Sequence, residues 1–148
     1  MWEKTLDMQT GKQIRNYQIA VISSLLFALL GFSYNVWRME VTEENANTRT
    51  ACFELLLVLS QLEQLVYSAH YDKNSLEGSP RKGWVKVGLT VDLSVLTTSK
   101  VKDSALKLKD VWSSHWQTIE NNEQSVQSVV YAIEGSRTQI KMLLQSLE

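Results

Sequence analysis

The sequence predicts an all-α fold: a single N-terminal transmembrane helix followed by an antiparallel helical bundle of four helices. Three observations predict it. Ile19 to Val36 carries no charged residue. Beyond that stretch, apolar residues recur at helical spacing in segments parted by turn-forming residues. The only proline and two of the six glycines fall together in residues 71–83.

The first element is the anchor, residues 18–37. Eighteen helical residues at ~1.5 Å each reach about 27 Å, close to a ~30 Å hydrocarbon core. Its interior, "IAVISSLLFALLGF", lacks the polar stripe that a surface helix needs. Tyr17 stands at one end and Tyr34 and Trp37 at the other, where membrane interfaces favour aromatics. A cleaved signal peptide is the competing pattern, with "GFS" at 31–33 as a loose cleavage site. The leader, residues 1–17, is too long and too weakly basic for that, so the segment reads as a signal anchor. Lys4, Lys12 and Arg15 precede it, and Arg38 and Arg49 follow closely, three against two. That bias places residues 1–17 in the cytoplasm and residues 38–148 outside, in the periplasm or extracellular space, at a plasma (inner) membrane.

From Thr42 to His70 there is neither glycine nor proline, so the next helix is expected to continue from the anchor with little break. Leu55, Leu59, Leu62 and Val66 share one face, broadened by Phe53, Leu56 and Leu57. Glu54 and Glu63 argue against a second span. Residues 71–83, "YDKNSLEGSPRKG", form the loop. The segment "WVKVGLTVDLSVL" has the alternation of a strand. It also places Lys86, Thr90, Ser94 and Thr97 on one stripe of a helix. No second alternating run is present to pair with it, so a helix is expected. A strand would require pairing across a subunit interface. Asp92 falls in the apolar arc of that helix, with Val85, Gly88 and Leu96. A buried lone carboxylate is costly unless paired, and His115, Arg137 or another chain are its candidate partners. An exposed Asp at a helix bend or subunit edge is the plainer expectation.

The third helix, Ser99 to Ile119, carries Val101, Ala105, Leu108, Trp112 and Ile119 on one side. Asn121 is the expected N-cap of the fourth, with Gln124 three residues on. A coiled-coil-like heptad seam follows at Val126, Val129, Ile133, Ser136, Ile140, Leu143 and Leu147, widened by Val130 and Leu144. Ser136, beside Gly135 and Arg137, marks either a close helix contact or a weak turn.

Charge and motifs bound the function. The net charge is −1 and no Lys/Arg block exists, which argues against nucleic-acid binding. Cys52 is the only cysteine, among apolar neighbours, so it reads as a core residue with no intrachain disulfide. No phosphate-binding glycine loop, nucleophile elbow or metal-spaced Cys/His set is present. No enzymatic activity, cofactor or metal is expected. His70, near Asp72, suits a helix C-terminus and needs no metal. The stretch "VWSSHWQTI" is more distinctive, with Trp112 and Trp116 one turn apart and His115 between them. These tryptophans either fill the core near its end or anchor a partner or ligand, and Trp84 can join them. The candidate contacts are therefore Trp84, Asp92, Trp112, His115 and Trp116.

The expected function is that of a non-enzymatic, single-pass accessory or assembly subunit. Its partners are the lipid bilayer through residues 18–37, and another membrane protein or a second copy of itself. The alternative is a ligand-sensing bundle, organised like the extracellular helical domains of bacterial receptors. With one crossing in the sequence, it would signal through a partner membrane protein.

Overall fold

A computed structural model describes the backbone of residues 2–147 and the side chains of residues 14–147. The Lys4 and Lys12 side chains, which weigh in the orientation bias, lie outside the described residues. Four helices follow in order: α1 Trp2–His70, α2 Pro80–Ser94, α3 Ser99–His115 and α4 Glu123–Ser146. The fold is all-α, and the ambiguous segment after Trp84 is helical. The chain divides into two compact units, Met1–Glu43 and Glu44–Glu148.

Between Ile19 and Val36, α1 carries no charged residue. Leu25, Phe27, Leu30 and Phe32 are all exposed. By length and composition this helix can cross a membrane.

The second unit is the bundle. Leu55, Leu59, Leu62 and Val66 of α1 are fully buried, as their spacing requires, together with Cys52. Phe53 and Leu57 do not broaden that core face: they are 61% and 54% exposed, and Leu56 is half-buried. The α3 residues Val101, Ala105, Leu108 and Trp112 are buried. On α4, the seam from Val126 to Leu143 is buried and Leu147 half-buried.

Several boundaries differ from the sequence pattern. The loop ends at Ser79, because Pro80 takes the first turn of α2, where its missing N–H costs nothing. Within the loop, Asn74 Oδ1 accepts from the backbone N–H groups of Leu76 and Glu77, both at 3.1 Å. Helix α3 ends at His115, and Ile119 is buried from the following turn. The N-cap of α4 is Asn122 rather than Asn121. Its side chain accepts from Gln124 N–H (2.9 Å) and Ser125 N–H (3.3 Å).

Helix α2 is the unexpected element. It buries Gly83, Val87, Thr90 and Ser94, which are small or polar. The hydroxyls are satisfied inside the helix: Thr90 donates to the Lys86 carbonyl and Ser94 to that of Val91. The buried face must be small because Trp112 of α3 lies against it. A Cβ built on Gly83 would fall 2.2 Å from Cζ2 of that indole. The apolar arc that contains Asp92 is therefore turned outward. Val85 is 69%, Leu89 42% and Leu96 62% exposed, and Asp92 is exposed among them.

Candidate functional site

Two places gather the candidate residues. The first is the aromatic end of the bundle. Trp112 is buried to 1% exposure in the last turns of α3. Trp84, one residue beyond Gly83, meets it edge to face, with ring centroids 6.4 Å apart at 89°. A cavity of about 140 Å³ opens beside the pair, lined among others by Leu65, Ala69, Pro80, Trp112, Trp116 and Ile119. The Trp112 indole N–H is buried and has no hydrogen-bond partner among the described residues. Trp84, Trp112 and Trp116 are thus brought together.

His115 is turned to other work. Its Nδ1 lies 3.2 Å from Ser125 Oγ at the start of α4, and Ser125 Oγ is 2.8 Å from Thr118 Oγ1. Ser125 is buried, and this cluster ties the α3–α4 turn. His70 behaves alike. Its Nδ1 donates to the Ile119 carbonyl at 2.7 Å, latching the end of α1 to the same turn. Among the described residues no group of three His, Cys, Asp or Glu is placed to hold a metal.

The second place is the outer groove between α1 and α2. Lys86 Nζ donates to Gln61 Oε1 at 2.6 Å and fixes the antiparallel register of the two helices. Around this bond lies a recess of about 550 Å³, lined among others by Gln61, Gln64, Ser68, Arg81 and Val85. Leu57 and Phe53 sit about one and two turns before Gln61 on α1, and both are exposed. Val85, Leu89 and Asp92 follow one another on the face of α2 opposite its buried side, and Leu96 is exposed in the turn after the helix. Asp92 reaches neither His115 nor Arg137: His115 bonds Ser125, and Arg137 is engaged by Glu63 (2.6 Å) and Glu134.

That Arg137 cluster joins α4 to α1. Tyr67 OH donates to Glu63 at 3.1 Å, and Arg137 also donates to Ser60 Oγ. Burial pulls the guanidinium pKa down, but its bonds to Glu63 and Glu134 outweigh this and hold it above its ordinary value. Burial, helped by the Glu63 bond, pushes the Tyr67 phenol up. Both groups keep their neutral-pH charge, so the cluster is a brace between helices.

Phe53, Leu57, Val85, Leu89 and Leu96 are absent from the candidate contacts drawn from sequence. The signal was present, because the apolar arc of α2 is visible in its periodicity. Periodicity fixes only the relative phase of side chains, and which arc faces the core is decided by Trp112. No family model, no curated protein and no solved structure matches the chain.

Proposed function

We propose that the chain is a non-enzymatic, single-pass membrane protein that acts as an accessory or assembly subunit, docking its bundle on another membrane protein. The observation that carries this is the set of exposed apolar side chains on the bundle, Phe53 and Leu57 on α1, Val85 and Leu89 on α2, and Leu96 just after it. Extended exposed apolar surface marks protein or membrane interaction sites. Fully burying one such side chain is worth about 1.5–3 kcal/mol. Five together offer at most about 7.5–15 kcal/mol, of the same order as the association cost of about 4–15 kcal/mol. A surface of this size suits docking that other contacts reinforce. The bilayer supplies one, through residues 18–37. The N-terminus is assigned to the cytoplasm and the bundle to the outer face on the three-to-two balance of basic residues.

A photo-crosslinking side chain placed at Leu57 or Val85 of the full chain in its own cells tests the docking. A discrete adduct with a membrane protein is expected from both positions and none from Lys109, exposed on α3. Adducts of equal yield from Lys109, or none from Leu57 and Val85, overturn the proposal. A reporter fused after Glu148 tests orientation, and a cytoplasmic signal reverses it. A second reading, ligand sensing, draws support from the cavity beside Trp112 and Trp116. A thermal-shift screen with small aromatic compounds separates the two, since only a sensor gains stability from them.

A further inference from the structure

We infer that the recess between α1 and α2 binds a small dianion, a molecule that carries two carboxylates or one phosphate group. This goes beyond the docking role and stands on the chemistry of the recess lining.

The walls are polar. Gln61, Gln64 and Ser68 line the α1 side at i, i+3 and i+7, which is one face of a helix. Arg81, Lys82 and Lys86 line the α2 side within two turns, joined by Glu77 of the loop. Leu65 and Val85 add apolar surface. The volume of about 550 Å³ falls within the range of about 300–1,000 Å³ that small-molecule sites occupy.

Charge decides the class of ligand. Three cations face one carboxylate, so the recess holds an excess of two positive charges. Lys82 is paired with Glu77 at 3.2 Å, but both side chains are exposed, and such a bridge is worth only about 0–1 kcal/mol. Lys86 is held by the neutral amide of Gln61, which leaves its charge unmatched. Arg81 forms no ion pair and no side-chain hydrogen bond among the described residues. Its planar fork suits the paired oxygens of a carboxylate or a phosphate.

The excess also costs stability where it stands. Arg81 and Lys82 lie in the first turn of α2, at the positive end of its dipole, with no acidic residue beside them in that turn. Lys82 and Lys86 are one turn apart, a like-charge spacing that destabilises a helix by about 0.2–0.5 kcal/mol. A dianion relieves both effects, whereas a monoanion leaves one cation unmatched. A phosphate group carries about −1.5 to −2 charges at neutral pH. The α1 wall supplies neutral donors. The Gln64 and Ser68 side chains form no hydrogen bond among the described residues, whereas Ser60 on the same helix returns its hydroxyl to the Leu56 carbonyl. Both walls thus offer donors to one space.

The test uses the full chain in phosphatidylcholine nanodiscs, titrated by calorimetry with succinate, inorganic phosphate and acetate at one ionic strength. Succinate or phosphate is expected to bind at a single site about tenfold more tightly than acetate, and the tighter of the two tells carboxylate from phosphate. Arg81→Gln should weaken that binding about tenfold, the loss of one charge-assisted bond. From the opposite wall, Gln64→Ala with Ser68→Ala should weaken it severalfold. Lys109→Gln, exposed on α3, should leave it unchanged, and the helical circular dichroism should be the same in all variants. Acetate binding as tightly as the dianions, or no saturable binding by any of the three, overturns the inference. So does a loss with Arg81→Gln while the α1 variant binds normally, which would reduce the effect to the surface charge of α2. Tighter binding of an Asp-rich peptide than of either dianion would assign the recess to an acidic segment of a partner and overturn the small ligand.

Discussion

At Gly83 a single methyl group separates packing from propensity. Its Cβ would enter the Trp112 ring, so Gly83→Ala should destabilise the bundle by about 1–3 kcal/mol through overpacking. Gly88 and Gly135 are also helical, yet a Cβ there meets nothing within 4 Å. Ala at either should stabilise by roughly 0.5–1 kcal/mol. Denaturant titration of the three variants reads both signs. Cys52 gives a second test at this scale. Burial raises its thiol pKa, and Tyr67 is raised likewise. A raised pKa means stability that is full at neutral pH and is lost as pH climbs through the folded value. The melting temperature should therefore fall on the alkaline side, first past the ordinary thiol value of about 8.5 and again past about 10 for the phenol. Cys52→Ala should flatten the earlier part of the fall. The native thiol should resist alkylation until the protein unfolds. The buried state of Cys52 was legible from its apolar neighbours. The tight contact at Gly83 was not, because it depends on a ring twenty-nine positions away in the chain.

At the scale of elements, α4 and α2 behave oppositely. The α4 seam was legible because a continuous heptad pattern leaves one face to bury. Ile140→Ala should cost roughly 2–5 kcal/mol, measured by chemical denaturation. Ser136 settles the choice between a close contact and a weak turn. It is buried, and its Oγ donates to the Ser104 carbonyl of α3 at 3.2 Å and to Ala132. Two helices approach closely there, so Ser136→Leu should destabilise by about 1–3 kcal/mol. Helix α2 was half legible. Its helical state followed from the lack of a strand partner and its polar stripe from the spacing, but its facing did not. A buried apolar arc would make Val85→Ser and Leu96→Gln severely damaging. With that arc outside, each should change stability by no more than about 0.5 kcal/mol. Asn121 and Asn122 could not be told apart as caps from sequence, since both precede the same apolar run.

For the whole molecule, the apolar stretch and the bundle were both legible in composition and period. The outward facing of the α2 apolar arc was not, because it depends on what packs against the helix. A fragment starting near Val41 should be helical and should melt cooperatively, since the core of the second unit is drawn from all four helices. Sedimentation should show it as a monomer, and an obligate dimer would make its exposed apolar side chains an interface between copies. Chelators and reductants should leave its melting unchanged. The small buried face of α2 has a further consequence for motion. Docking α2 removes little apolar area from water, Val87 being its only large side chain at full burial. Local opening free energies scale with such contacts, so α2 is the segment that lifts away before the bundle as a whole unfolds. Its amide hydrogens should exchange with deuterium well ahead of those in the middle of α4.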